Sequence, residues 1–131
     1  MKSIVFLALI ALSLCGKRET VVACAKETLG THYETFDFTT LVRLCYKRIQ
    51  INISSVAYHI FDHGKAVPSQ SALKPGDIVG FNNHDGKKQP GYVGIYIEDD
   101  RYIYSPGPGK TVTYGSFNTI DNYFGGRNYI D

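Results

Sequence analysis

Leu73-Lys74-Pro75-Gly76-Asp77-Ile78-Val79-Gly80-Phe81, with Gly91-Tyr92-Val93-Gly94-Ile95-Tyr96-Ile97 after it, is where the chain changes character. Pro75 and Gly76 end what precedes them, because a proline cannot continue a helix and a glycine accepts the turn conformations that follow. Beyond them come short runs rich in β-branched and aromatic residues: Asp77 to Phe81, Tyr92 to Ile97, Tyr102 to Ser105 and Thr111 to Tyr114. Turn-rich segments separate them, Asn82 to Gly86 and Ser105 to Gly109, and Glu98-Asp99-Asp100 reads as a tight hairpin. Gly125-Gly126 reads as a turn near the end and Asn128 to Ile130 as a final edge strand, so the sheet has about five strands.

Before Pro75 the pattern is helical. Glu19 to Leu29 are helix formers, with Gly30 placed as a left-handed C-terminal cap. Phe38, Leu41, Val42 and Cys45 recur at spacings of three and four, with Lys47 and Arg48 at the end where cations suit the helix dipole. Ser54 and Ser55 are placed to cap a third helix carrying Val56, Ile60 and Phe61 and ending at Gly64. Helices followed by strands predict an α+β domain, N-terminal helices packed on an antiparallel sheet.

The 131 residues leave room for one domain, and 44% apolar with 20% charged residues is the profile of a folded chain. A net charge of +2, with Lys and Arg scattered among acids, gives no basic stripe for a phosphate backbone, which argues against nucleic acid. Lys2, the apolar run Ile4 to Leu14 and the small residues Ser13, Cys15 and Gly16 form a secretory signal over residues 1–16, with a mature domain over 17–131. The run is about eleven residues, too short for a transmembrane helix. The expected location is extracellular or periplasmic, with lipid anchoring at Cys15 as the rival reading of the same stretch. Export leaves Cys24 and Cys45, and the reading stays open between a disulfide and two buried thiols.

Ala25 to Tyr33, then Phe36-Asp37-Phe38-Thr39-Thr40-Leu41-Val42, then the stretches from Leu73 and from Gly91 occur in fixed order. Together they resemble the NlpC family of cell-wall cysteine peptidases, whose fold is papain-like. The likeness runs from about Val21 to Phe117. In that family a cysteine at a helix start is the nucleophile, a histidine on a strand is the base, and a polar residue on the next strand orients the histidine. Carried over residue by residue, the nucleophile position is Phe38 within Asp37-Phe38-Thr39, the base position is Tyr92 and the orienting position is Tyr104. A phenyl ring has no lone pair to attack a carbonyl, and a phenol with its ordinary pKa near ~10 is a poor base at neutral pH. The resemblance therefore implies a pseudoenzyme. Only Glu34 and Thr35 separate Tyr33 from Phe36, a shorter rim than the family's, so kinship does not transfer specificity.

Other residues offer little replacement chemistry. Cys45 lies seven positions past Phe38, about two helical turns or ~10 Å along the axis. Thr39 and Thr40 read as capping hydroxyls. His32, His59, His63 and His84 lack a nucleophile partner, and the pair His59 and His63, at helical i, i+4 spacing around Asp62, is too few ligands for a metal site. No cofactor is implied. The ten tyrosines, with no tryptophan, read either as packing under the helices or as a ligand-gripping set around the former cleft, Tyr92 and Tyr104 above all. The expected activity is binding of peptidoglycan fragments, a peptide or a protein partner through Asp37, Phe38, Thr39, Tyr92 and Tyr104. The competing readings are an active amidase or endopeptidase with relocated residues, and an effector-like protein without affinity for wall material.

Overall fold

The computed structural model describes residues 16–32, 37–83 and 89–131. The expectations for the signal, for Cys15, for residues 33–36 and for His84 fall outside them. Three helices come first: α1 (Lys17–Glu27), α2 (Thr40–Lys47) and the single turn α3 (Ala57–Ile60). Six strands follow: β1 (Lys65–Val67), β2 (Ile78–Asn82), β3 (Pro90–Glu98), β4 (Arg101–Tyr104), β5 (Thr113–Ser116) and β6 (Tyr123–Asn128). They form one sheet in the order β1-β6-β2-β3-β4-β5, antiparallel throughout. The α+β architecture is as expected, with six strands instead of about five.

Local signals held where they were strong. Gly30 adopts φ 86° after α1, and Asp99 and Asp100 both take positive φ, 53° and 62°, which is what a two-residue hairpin with right-handed strand twist requires. The end of the chain differs from expectation. Gly125-Gly126 is no turn but lies inside β6, paired with Gly80 and Val79, and β6 is an interior strand between β1 and β2, not an edge at 128–130. Glycine is used because side chains from elsewhere fill the space: a Cβ on Gly126 would come within 2.7 Å of Leu73 Cδ2, and one on Gly80 within 2.3 Å of the Phe61 ring. The third helix also shrinks. Ser54 Oγ accepts from the Val56 N–H at 3.0 Å and so shapes the turn before α3 instead of capping it, and the helix stops at Ile60, short of Gly64.

Strand alternation divides the sheet into two faces with different cores. Ile78, Val93, Ile95 and Ile103 point to the helices and pack with Val21, Leu41, Val42 and Tyr46 in one buried cluster. Each such buried aliphatic side chain contributes about 1.5–3 kcal/mol. Val79, Phe81 and Tyr102 belong to the opposite face, where Phe117, Tyr92, Tyr96, Tyr104 and Tyr123 join them. Tyr92, Tyr96, Tyr102, Tyr104 and Tyr123 thus pack on the sheet face away from the helices, where the aliphatic residues of the same strands leave room, while Tyr114 and Tyr129 pack on the helix side as expected. Phe81 and Tyr102 rings lie 4.6 Å apart, and Tyr102 and Phe117 rings 5.0 Å apart.

Two cross-links anchor the last turn of α2. Cys24 on α1 and Cys45 on α2 form a disulfide with Cα atoms 5.4 Å apart, and the buried Tyr46 hydroxyl donates to the Gly76 carbonyl. Among the described residues no helix is long and apolar enough to cross a membrane.

Candidate functional site

The entrance to α2 is organised by one carboxylate. Asp37 Oδ1 accepts the backbone N–H groups of Thr39 and Thr40, both at 2.8 Å, and the hydroxyls of Thr40 at 2.7 Å and Thr39 at 3.1 Å. Asp37 therefore caps the helix, and the threonines expected to cap it donate to Asp37 instead. Partial burial opposes the charge on Asp37, but the four hydrogen bonds outweigh it and hold the carboxyl below the ordinary aspartate value. Arg43 Nη2 stands 3.7 Å from Oδ2. This cap orients Phe38, the next residue, toward the sheet.

The three aromatic positions meet. The Phe38 and Tyr92 ring centroids are 5.9 Å apart, and those of Tyr92 and Tyr104 are 6.2 Å apart. Tyr92 is stacked on Phe81, its cross-strand partner, at 5.0 Å and 17°. All three rings are half-buried, and none carries a group that attacks a carbonyl. Burial, then the neighbouring Tyr92 phenol, push Tyr104 above the ordinary tyrosine range, so it stays protonated at neutral pH.

Sequence reasoning missed Asn122, in the segment before β6. Its Nδ2 donates to the Asn82 carbonyl at 2.8 Å and to the Tyr92 hydroxyl at 2.7 Å. Tyr58 was missed too. Beside Asp37, Phe38 and Thr39 opens a cleft of ≈ 410 Å³ that Tyr58 of α3, Asn83 and Gln89 also line, while Tyr92 and Tyr104 do not line it. Tyr58 is 45% exposed, a value that sets it apart from the buried aromatics. A lone tyrosine in a short helical segment and an asparagine in a loop follow no periodic pattern, so no signal in the sequence marked either.

The remaining candidates disperse. Cys45 faces Cys24, not the cleft. His32 pairs with Thr111 in an isolated bridge, and His59 packs edge-on against Tyr58. Because α3 ends at Ile60, His59 and His63 do not share a helix face, so the i, i+4 spacing expected of them is not realised. Among the described residues there is no cluster of three or more His, Cys, Asp or Glu side chains able to hold a metal ion.

Residues 27–126 match the family model described as the NlpC/P60 family. Murein DD-endopeptidase MepH of Escherichia coli is 29% identical over 97 residues, covering 72% of this chain and 34% of that protein. A NlpC/P60 family protein of Bacillus cereus superimposes with a TM-score of 0.78 at 27% identity, over 87% of this chain and 40% of that one. NlpC2 of Trichomonas vaginalis superimposes with a TM-score of 0.82 at 23% identity, over 89% and 48%. This chain thus spans about a third of the curated relative and less than half of these two solved ones.

Proposed function

Because this chain belongs to the NlpC/P60 family, a family of peptidoglycan hydrolases, we propose that it is an exported member that keeps the family's groove and no longer performs its acyl transfer. It binds a peptidoglycan fragment, or a peptide or protein partner, in the cleft beside Asp37, Phe38 and Thr39. Residues 1–16 direct its export, and 17–131 form the binding domain.

The observation that carries this reading is the meeting of Phe38, Tyr92 and Tyr104 at one place, with centroids 5.9 and 6.2 Å apart. Acyl transfer by this family needs a thiolate and an imidazole within hydrogen-bond reach. At these positions the chain supplies a hydrocarbon ring and two phenols. Cys24 on α1 and Cys45 in the last turn of α2 are bonded to each other, so neither offers a free thiol, which supports the reading. What remains is suited to holding a ligand: a cleft lined by the aromatic Phe38 and Tyr58 together with Asn83 and Gln89.

Purified peptidoglycan incubated with the mature protein, with and without iodoacetamide, tests the loss of chemistry. No release of stem-peptide fragments is expected. Release that iodoacetamide abolishes means a working thiol enzyme and overturns the reading. Co-sedimentation with insoluble peptidoglycan tests the binding half, where recovery entirely in the supernatant favours an interaction protein with no affinity for wall material.

A further inference from the structure

The segment joining α2 to α3 carries a short motif that the cleft does not use. Asn52-Ile53-Ser54 has the spacing Asn-x-Ser with a residue other than proline in the middle, and Asn52 is the one asparagine of the chain with serine or threonine two places on. The spacing has a chemical meaning. A carboxamide nitrogen is a poor nucleophile, because its lone pair is delocalised into the carbonyl, and the hydroxyl two residues on is what an oligosaccharyltransferase reads when it selects an asparagine. The fold meets the steric requirement as well. Asn52 is exposed and lies outside regular structure, between the end of α2 at Lys47 and the start of α3 at Ala57. Ile53, 9% exposed, belongs to the core on the helix side, which anchors the segment and leaves Asn52 in solvent, where a large hydrated glycan has room. A separate observation bears on the compartment. The disulfide between Cys24 and Cys45 belongs to oxidising surroundings such as the lumen of the endoplasmic reticulum, where N-linked glycans are added.

From these observations we infer that Asn52 is the acceptor of an N-linked oligosaccharide, attached as the chain is exported. The inference goes beyond the binding reading and rests on its export half, since transfer takes place on the lumenal side of a membrane. The donor is an oligosaccharide joined to a lipid through pyrophosphate. Asn52 Nδ2 bonds to the anomeric carbon, the bond from that carbon to the pyrophosphate oxygen breaks, the lipid pyrophosphate leaves with the electron pair, and the amide gives up one proton. Ser54 serves twice: its hydroxyl is read in the nascent chain, and in the folded domain Oγ accepts from the Val56 N–H at 3.0 Å. The same segment continues into Ser55 and Val56, which line the cleft, whereas Asn52 does not, so the glycan borders the binding site without filling it.

Expression of the full chain, residues 1–131, in insect cells tests this, with intact mass measured before and after treatment with peptide-N-glycosidase. The unaltered protein should lose the mass of one glycan on treatment. Asn52→Gln and Ser54→Ala should carry no glycan, and Ser54→Thr, which keeps the hydroxyl, should carry it. Ser54→Ala also deletes the acceptor of the Val56 N–H, so if that variant fails to accumulate, the change at the exposed Asn52 decides. Exported protein whose mass the enzyme leaves unchanged overturns the acceptor role while export stands, and so does a glycan that survives Asn52→Gln. Protein confined to the cytosol and free of glycan overturns both.

Discussion

At position 38 a single substitution places a thiol beside the Asp37 cap. Phe38 follows the Asp37 cap and precedes the first turn of α2, where helix N–H groups lower the pKa of a thiol. In the mature chain Phe38→Cys introduces a sulfur that has no partner, since Cys24 and Cys45 are bonded to each other. It should react with iodoacetamide, restrained by the adjacent Asp37 carboxylate. Adding Tyr92→His places an imidazole where a ring already stands 5.9 Å from that of Phe38. If it lowers the thiol pKa by one unit, alkylation below that pKa rises about tenfold over the single variant. Equal alkylation rates across the pH range would show that positions 38 and 92 do not form a dyad geometry. The three aromatic positions were legible in the sequence because each sits in a motif of recognisable order and spacing. Asn122 was not, because an asparagine's role depends on which two groups the fold brings to its amide, and those, Asn82 and Tyr92, lie 40 and 30 positions away.

Among the elements, α2 depends on its first contact. Replacing Asp37 by alanine removes the acceptor of two backbone N–H groups and should cost about 1 kcal/mol, the usual worth of a cap. Asp37→Asn keeps an acceptor and removes the charge, which isolates the pH dependence. The folded-state pKa of Asp37 is depressed by its hydrogen bonds from an unfolded value near ~3.9. A depressed carboxyl adds stability above the unfolded pKa and loses it as pH falls through the folded one. The melting temperature of the unaltered protein should therefore exceed that of Asp37→Asn at neutral pH, and the gap should close on acidification below about pH 4. A gap that persists in acid would assign the difference to shape and not charge. The helix α2 and the strands β2 to β4 were readable because hydrophobic pattern and turn residues agree in each, and α1 because a run of helix formers ends at Gly30. The strand β6 was obscured by Gly125-Gly126, and at Gly126 the space of the missing side chain is taken by Leu73, Val67 and Tyr123. The three residues of β1 are too few to show a period, and they become a strand only because β6 is there to pair with them.

For the molecule as a whole, the contacts that close the fold lie away from Phe38, Tyr92 and Tyr104. Arg18, in the first turn of α1, joins distant parts of the chain. Its Nη1 reaches Asp77 Oδ1 at 2.9 Å and the Pro75 carbonyl at 3.0 Å, while its Nη2 reaches Asp131 at 2.8 Å. The beginning of the domain, the Pro75-Gly76 turn and the end of the chain thus meet on one guanidinium, whose planar fork serves partners that a lysine ammonium would serve singly. Asp77 is 1% exposed, and its carboxylate is paired with Arg18 and accepts the Lys74 N–H, 2.9 Å from Oδ2. Removing one member of a buried pair costs about 3–5 kcal/mol, because the other is left desolvated and uncompensated. The Arg18 side chain retains 16% exposure, which lets water take part of its place, so Arg18→Ala should cost about 2–3 kcal/mol by urea denaturation. Arg18→Lys should recover only part of that. Arg18→Ala combined with Asp77→Asn, which removes the stranded charge, should be more stable than Arg18→Ala alone. If the double variant is no better, the Arg18 contribution comes from packing its stem against α1 and Pro75, and the ion pair is incidental to the fold.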